Sequence, residues 1–317
     1  MEIVFLEAGT LGSDMDFSLF ESLGHVTRYE TSTAADTPEK VKNADIVVVN
    51  KINMNEQTLG RAKKLKMIAI TATGYNMVDL DFTKSRGIAV TNVAGYSTDA
   101  VAQHTFALLF YLMHKLAYYD GYVKRGEYCE STAFTHIAEP FHELAQKTWG
   151  IIGLGAIGHK VAALARAFGC RVIYHSMSGC VRPEPYEQVD FEELLSQADI
   201  LSVHAPLTEA TRGLMDREAF RRMKPGSIFL NLARGAIVRE EDLAWALREG
   251  EIAAAGLDVL AVEPMSRENP LMEIQDSRRL IITPHIAWAP VETRARLLDE
   301  VYRNIQAFLN GEARNLV

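Results

Sequence analysis

Short apolar runs rich in Val and Ile alternate with amphipathic segments along most of this chain. In the first third of the sequence the runs lie at 3–6, 46–49, 67–71 and 88–92. Continuous apolar runs of this length are typical of strands that are buried on both faces of a parallel sheet. The alternation therefore predicts repeated βα units.

A second series of apolar runs begins at Thr148. Its members lie at 148–153, 171–175, 200–204, 227–232, 252–259 and 280–283. Six strands connected by helices are what a doubly wound dinucleotide-binding fold requires. The predicted fold class is α/β, with two Rossmann-like domains built on doubly wound parallel sheets.

Two long helical patterns determine the predicted domain organisation. The first runs unbroken to Leu116 and starts at Thr98 or Asp99, either of which is a suitable N-cap residue. The second covers 291–310 and ends at Gly311. Because this last helix follows the second strand series, we expect it to pack on the first domain. The predicted domains are a discontinuous one, 1–97 plus 288–317, and a continuous one, 98–287.

Charge and cysteine usage exclude several classes of protein. The 317 residues include 33 Lys or Arg and 41 Asp or Glu, without a basic block, so nucleic acid is not an expected partner. The three cysteines are far apart, which predicts reduced thiols and no metal site. Only a short apolar run precedes Glu7, which predicts neither a signal peptide nor a membrane span and hence a cytoplasmic protein.

The string Gly153-Leu-Gly-Ala-Ile-Gly158 joins a predicted strand to a predicted helix. In this context the spacing is the fingerprint of a dinucleotide-binding turn, although a plain glycine-rich turn is the alternative. Gly153 permits the tight turn, Gly155 lets backbone amides approach a pyrophosphate, and Gly158 lets helix and strand pack closely. We expect Ala156 and Ile157 to contact the cofactor as well.

The acidic residue that normally follows the second strand of this motif is missing. An Asp or Glu about 20 residues beyond the loop usually binds the adenosine ribose of NAD. His175 and Ser176 stand there instead, which removes the repulsion toward the 2′-phosphate of NADP. The nearest cation, Arg182, is equally well explained as a solvated loop charge. The expected cofactor is NAD, with NADP as the alternative.

Three segments place charged and imidazole side chains at predicted strand ends. They are Asn231-Leu-Ala-Arg-Gly235, Asp258-Val-Leu-Ala-Val-Glu-Pro264 and Thr283-Pro-His-Ile-Ala-Trp288. Taken singly, a histidine after a strand or an Arg-Gly pair is usually structural. Ligands of open α/β sheets bind at the carboxyl ends of strands, so three such segments after a nucleotide loop predict an active site.

In order and spacing these motifs resemble those of the D-isomer-specific 2-hydroxyacid dehydrogenases, over nearly the whole chain. Within that family the segments 72–79 and 91–104 are most similar to glycerate dehydrogenases, also called hydroxypyruvate reductases. The resemblance implies that domain 98–287 binds the dinucleotide and the other domain binds the substrate. The implied reaction is hydride transfer from NAD(P)H to hydroxypyruvate or glyoxylate, giving D-glycerate or glycolate.

The resemblance also implies roles for single residues. Arg234 would bind the carboxylate and keto oxygen of the substrate, His285 would be the acid/base, and Glu263 would hydrogen-bond His285. A guanidinium stabilises charge that builds on the keto oxygen, and a carboxylate beside an imidazole favours its protonated form. Further substrate contacts are implied for Lys51, Thr73 and Gly74.

The remaining cofactor contacts follow from the same resemblance. Asp258 would bind the nicotinamide carboxamide, and a helix N-cap role is the alternative. The other implied contacts are His204, Ala205, Pro206, Thr211, Leu232 and Ala233.

The sequence also bears on the oligomeric state and on alternative functions. The aromatic residues of 126–148 lie where this family forms a homodimer interface, but they equally suit a surface loop. Phosphoglycerate dehydrogenases that resemble this chain carry Arg in place of Asp99, so an unphosphorylated substrate is expected. A D-3-phosphoglycerate dehydrogenase without a regulatory domain and a D-lactate dehydrogenase are the alternative enzymes. Outside enzymes, an NAD(H)-sensing, corepressor-like module or a structural Rossmann domain stays open.

Overall fold

The computed structural model describes residues 1–177 and 183–317. Arg182 and Cys180 therefore lie outside the described residues. The chain divides into two compact units, of which unit 1 is Met1–Ser97 with Trp288–Val317 and unit 2 is Thr98–Ala287.

Unit 1 contains a five-stranded sheet with the strand order β2-β1-β3-β4-β5. Its strands are β1 Glu2–Phe5, β2 His25–Arg28, β3 Ile46–Val49, β4 Met67–Ile70 and β5 Ala89–Thr91. Its helices are α1 Thr37–Lys40, α2 Glu56–Leu59, α3 Leu80–Ser85 and the C-terminal helix Val291–Leu309. Every residue of β3 and β4 is buried, because apolar side chains pack against both faces of the sheet.

Unit 2 contains a seven-stranded sheet with the strand order β12-β11-β10-β9-β6-β7-β8. Its strands are β6 Thr148–Ile152, β7 Arg171–His175, β8 Glu187–Gln188, β9 Ile200–Val203, β10 Ile228–Asn231, β11 Ala254–Leu257 and β12 Leu280–Ile282. Its helices are α4 Thr98–Met113, α5 Leu116–Lys124, α6 Ala156–Ala167, α7 Phe191–Gln197, α8 Arg217–Arg222 and α9 Glu240–Glu249.

The pairs of named strands in both units are parallel, which confirms the predicted α/β class with two Rossmann-like domains. In unit 2 the strand order reverses between β6 and β9, and such a switch point is where doubly wound sheets bind ligands. Gly153 follows β6 and His204 follows β9, so both residues stand at this point.

Two local details differ from the prediction. The helix expected to run unbroken to Leu116 ends at Met113, and Lys115 adopts a left-handed conformation with φ of 54° before α5 begins. No glycine or proline marks this break. Strand β8 adds a seventh strand, which sequence periodicity missed because it has only 2 residues.

Candidate active site

The glycine loop joins β6 to α6. Gly153 has φ of +90°, and a methyl group there would lie 2.7 Å from Ala205 Cα. A methyl group on Gly158 would lie 2.3 Å from the carbonyl oxygen of Gly153. These two positions therefore require glycine for close packing. Gly155 differs, because the space beside it is open to at least 4 Å.

The N-terminus of α6 lies next to Gly155. Gly155 is the N-cap residue and has no side chain that could cap the helix. The first amides of a helix lack partners within the helix, and its positive end attracts anions. The amides of Ala156, Ile157 and Gly158 therefore suit the pyrophosphate of a dinucleotide. The local structure fits the cofactor that the loop predicts.

His175 ends β7, where the ribose-binding acid is usually found. Its Nδ1 lies 3.1 Å from the carbonyl oxygen of Val189, and its ring contacts Phe191 with centroids 5.6 Å apart. A carbonyl oxygen can only accept, so Nδ1 carries a hydrogen. His175 thus brings no negative charge to this strand end.

The segment after β9 packs beneath the glycine loop. Both ring nitrogens of His204 are buried without a hydrogen-bond partner among the described residues, although the residue as a whole is partly exposed. Burial lowers the pKa of His204 to about 3, so its ring is uncharged at neutral pH. The hydroxyl of Thr211 is buried, accepts from the Thr208 amide at 2.7 Å and donates to the Pro206 carbonyl at 2.8 Å. Thr211 therefore stabilises this turn.

His204 should make the free energy of unfolding depend on pH. Its pKa is about 6.5 in an unfolded chain and about 3 in the folded protein, so the unfolded state binds more protons between these values. Stability should fall as the pH drops from about 6.5 toward 3, by up to about 1.4 kcal/mol per pH unit. In urea unfolding, the free energy of unfolding of His204→Leu should depend less steeply on pH than that of wild type. The difference in slope should correspond to about one fewer proton bound on unfolding.

The matched control for this measurement is His142→Leu, because His142 is an exposed histidine of the same unit. The control should keep the wild-type pH dependence. Equal slopes for wild type and His204→Leu would contradict the prediction.

His285 follows β12 and has φ of 56°, in the left-handed region. Its Nδ1 lies 2.7 Å from Glu263 Oε2, and Glu263 Oε1 accepts from the Leu260 amide at 3.0 Å. An ionised carboxylate can only accept, so Nδ1 carries a hydrogen and Nε2 is the atom free to exchange a proton. The His285 and Glu263 side chains are 28% and 31% exposed, so solutes can reach the pair.

Arg234 follows β10 in an extended conformation, and its side chain is exposed. Its Nη1 donates to the carbonyl of Ala233 at 2.7 Å, and its own carbonyl accepts from Asn231 Nδ2 at 3.0 Å. A methyl group on Gly235 would lie 1.8 Å from the carbonyl carbon of Leu260. The turn that carries Arg234 therefore touches the loop that carries Glu263, and only glycine permits this contact.

Glu240 is a site residue that the sequence did not reveal. Its Oε1 accepts from the Ala261 amide and its Oε2 from Asn269 Nδ2, both at 2.7 Å. It thereby ties the Glu263 loop to the start of α9. An acidic residue in the first turn of a helix is common, so its position alone carried no signal.

Asp258 follows β11, and no helix starts among the described residues after it until the 3₁₀ turn Pro270–Glu273. The N-cap alternative for Asp258 is therefore wrong.

Two predicted cofactor contacts lie beside the Arg234 turn. Leu232 is buried there and Ala233 is half-buried.

The further predicted substrate contacts, Lys51, Thr73 and Gly74, lie in unit 1. The amide of Lys51 donates to Glu7 Oε2 at 2.8 Å, and its side chain is exposed. The Thr73 hydroxyl donates to the carbonyl of Val93 at 3.0 Å. Within the part of the chain that the structure describes, the backbone amides of Thr73 and Gly74 make no backbone hydrogen bond.

The described residues were also compared with the requirements of a metal site and of a membrane-spanning helix. Among residues 1–177 and 183–317, no three His, Cys, Asp or Glu side chains are grouped so that they could hold a metal ion. None of the described helices is long and apolar enough to cross a membrane.

Comparison with known proteins identifies the class. Residues 106–287 match the family described as D-isomer specific 2-hydroxyacid dehydrogenase, NAD binding domain. The chain is 36% identical to a hydroxypyruvate reductase of Blautia hydrogenotrophica, covering 100% of this chain and 99% of the relative. It is also 36% identical to a glycerate dehydrogenase of Methylorubrum extorquens, covering 100% of this chain and 98% of that relative. The TT0316 protein of Thermus thermophilus has a solved structure with 34% identity, full coverage of both chains and a TM-score of 0.90.

The chain therefore belongs to the D-isomer-specific 2-hydroxyacid dehydrogenase family. It is an oxidoreductase with an NAD-binding domain, as the motifs predicted.

Proposed function

We propose that the protein reduces hydroxypyruvate or glyoxylate to D-glycerate or glycolate, with NADH or NADPH as the hydride donor. The observation that carries this proposal is the hydrogen bond of 2.7 Å between His285 Nδ1 and Glu263 Oε2. The loop that carries Glu263 touches the Arg234 turn, and all three residues lie in the region that matches the NAD-binding domain. The names of the two curated relatives support the substrate class.

In this proposal a dinucleotide held by the Gly153–Gly158 loop would supply a hydride for the keto carbon of the substrate. His285 Nε2 donates a proton to the keto oxygen, and Glu263 stabilises the protonated ring through Nδ1. Arg234 pairs with the substrate carboxylate and stabilises charge on the keto oxygen. We assign the amides of Thr73 and Gly74, with Lys51, to the substrate carboxylate.

Initial rates with NADH and NADPH, crossed with hydroxypyruvate, glyoxylate, pyruvate and phosphohydroxypyruvate, test the assignment. Hydroxypyruvate or glyoxylate should give the largest kcat/KM. A preference for pyruvate would favour the D-lactate dehydrogenase alternative, and a preference for phosphohydroxypyruvate the D-3-phosphoglycerate dehydrogenase alternative. Absence of turnover with all four acids would favour the NAD(H)-sensing module.

Asp99 bears on the choice between phosphorylated and unphosphorylated acids. It lies in the first turn of α4, inside the helix, and its carboxylate is 2.9 Å from Lys160 Nζ. A carboxylate at a helix N-terminus repels phosphate, whereas a cation there attracts it. We expect Asp99→Arg to raise the kcat/KM ratio of phosphohydroxypyruvate to hydroxypyruvate by about tenfold.

Asp99→Asn is the control, because it removes the charge and keeps the shape. It should move the same ratio by less than Asp99→Arg does. An unchanged ratio in Asp99→Arg would contradict a role of this helix terminus in substrate choice.

We propose that the enzyme discriminates weakly between NADH and NADPH, because His175 and Ser176 replace the ribose-binding acid. His175→Asp should shift the kcat/KM ratio toward NADH by about tenfold, since the carboxylate repels the 2′-phosphate. His175→Asn matches its shape without the charge and should shift the ratio much less. A wild-type preference above about a thousandfold for either cofactor would contradict weak discrimination.

We propose a symmetric homodimer formed through the aromatic segment 134–141 and the long helix that starts at Thr98. Phe134 is 91% exposed and Ile137 is 75% exposed, and Phe141 also exposes its ring. Exposed apolar side chains in one segment are typical of an interface. Light scattering should give twice the chain mass, whereas a fully active monomer at micromolar concentration would contradict the proposal.

We also propose a cytoplasmic location, where the free thiols of Cys129 and Cys170 would stay reduced.

A further inference from the structure

The peptide units on either side of Thr73 are held by the segment that follows β5. The carbonyl of Ala72 accepts from the Val93 amide at 3.0 Å, and the carbonyl of Thr73 accepts from Asn92 Nδ2 at 2.6 Å. The Thr73 hydroxyl donates to the carbonyl of Val93 at 3.0 Å. Three hydrogen bonds thus join two residues of one loop to two residues of the other.

These bonds fix the directions of two backbone amides. In a trans peptide unit the C=O and N–H groups are coplanar and point in opposite directions. The carbonyl of Ala72 shares its unit with the amide of Thr73, and the carbonyl of Thr73 shares its unit with the amide of Gly74. Because residues 92 and 93 bind both carbonyls, both amides are directed away from that segment. Among the described residues neither amide donates to another backbone group, and successive amides of this kind are an arrangement that binds anions.

Asn92 is itself held by the C-terminal helix and by the residues that follow it. Its carbonyl accepts from Asn304 Nδ2 at 3.1 Å, and its amide donates to the carbonyl of Asn315 at 3.2 Å. A carbonyl oxygen can only accept, so Asn304 turns its amide nitrogen toward Asn92 and its Oδ1 toward Asn315 Nδ2, at 2.8 Å. Asn304 is 1% exposed, so its two bonds are shielded from water.

Residues 315–317 run beside the edge strand β5. Asn315 has φ of 49°, in the left-handed region that asparagine adopts more readily than most residues. Leu316 forms an antiparallel bridge with Thr91. This pairing fixes the position at which Asn315 meets Asn92. The whole network lies in unit 1.

We propose that Asn92 is a positioning residue for substrate recognition. It orients the amides of Thr73 and Gly74 toward the carboxylate of the keto acid, and it acts through their shared peptide unit and not by binding the acid itself. Asn304 and Asn315 hold Asn92 in place, so residues more than two hundred positions away in the sequence take part in substrate binding. This inference rests on the proposed function, in which those two amides bind the carboxylate.

The decisive variant is Asn92→Ala, which removes the donor from the Thr73 carbonyl and leaves the backbone bonds of residue 92 in place. We expect the KM of hydroxypyruvate to rise by about tenfold, because misdirected amides bind a carboxylate less tightly. The kcat should stay within about threefold of wild type, since His285 and Glu263 are unchanged.

Binding measurements separate this effect from catalysis. The Kd of oxamate, an unreactive analogue of a 2-keto acid, should rise in parallel with KM in a fluorescence titration of the enzyme–NADH mixture. The Kd of NADH should stay within about twofold of wild type, because the glycine loop lies in unit 2.

Asn315→Gly tests the outer part of the network, because glycine keeps the left-handed backbone and loses only the amide side chain. The KM should rise by about threefold with unchanged kcat. Asn55→Ala is the matched control, because Asn55 is the N-cap of α2 in unit 1 and its Oδ1 accepts from the Gln57 and Thr58 amides. Loss of the cap should lower the melting temperature, but the KM should stay that of wild type.

An unchanged KM and an unchanged Kd of oxamate in Asn92→Ala would overturn the proposal. A fall in kcat with unchanged KM would also overturn it, because it would place Asn92 in the chemical step. An unchanged KM in Asn315→Gly would remove the outer asparagines from the network. The panel of keto acids tests the proposed function separately: if wild type reduces hydroxypyruvate and Asn92→Ala has the same KM, only the positioning role is rejected. If wild type neither turns over the acids nor binds oxamate, both are rejected.

Discussion

Replacement of His285 by Ala should lower kcat for keto-acid reduction by about a hundredfold or more while the protein stays folded. Hydride addition to a ketone leaves negative charge on oxygen, and without a nearby acid this charge must be neutralised by water. His285 is the partly exposed group whose Nε2 remains free once Glu263 has bound Nδ1 at 2.7 Å. Loss of the ring removes the proton donor but breaks no core contact.

The measurement is kcat with hydroxypyruvate and NADH across a range of pH. His25→Ala, at an exposed histidine of unit 1, is the control and should have wild-type kcat. Glu263→Gln should keep part of the activity, because His285 remains but its protonated ring loses its carboxylate partner. Wild-type turnover by a folded His285→Ala protein would remove His285 from the mechanism.

Replacement of Gly235 by Ala should damage both folding and catalysis. Its new methyl group would lie 1.8 Å from the carbonyl carbon and 2.1 Å from the carbonyl oxygen of Leu260, so two backbone segments must separate. We expect a loss of about 3 kcal/mol in the free energy of unfolding, at the upper end of the usual range for overpacking. We also expect kcat/KM to fall by more than about tenfold, because the Arg234 turn moves away from the Glu263 loop.

Gly226→Ala is the matched control, because a methyl group at Gly226 would meet no atom within 4 Å. Thermal unfolding and kcat/KM should distinguish the two variants clearly. If Gly235→Ala unfolds at the wild-type temperature and keeps full activity, the contact with Leu260 has no structural importance.

The features that sequence reasoning predicted well are those with a local cause. The apolar run at β3 is buried at each position, as a strand between two layers of helices must be. Gly153 and Gly158 have steric reasons to be glycine that follow from the strand–turn–helix context alone. The parallel fold and the family follow from such local patterns taken in order.

The features that could not be predicted depend on contacts between distant parts of the chain. Asp258 binds Thr283 and Ala287, which are 25 and 29 residues away, so nothing beside Asp258 in the sequence indicates these bonds. Glu240 likewise binds Ala261 and Asn269 across the fold. The break at Lys115 is a third case, since a lysine in a left-handed conformation has no marker in the sequence.

The N-terminus of α6 would bind a diphosphate through main-chain amides, which separates diphosphate binding from recognition of the 2′ position of the ribose. Amides exist at Ala156, Ile157 and Gly158 whatever the side chains are, so substitutions elsewhere leave this anion cradle intact. In the proposed binding mode, recognition of the 2′ position instead depends on the side chains at the end of β7. Single substitutions at that strand end can therefore change the preference for NADH or NADPH without weakening the binding of the diphosphate. During evolution, a descendant of this chain could change from one of these coenzymes to the other and still bind a dinucleotide at every step.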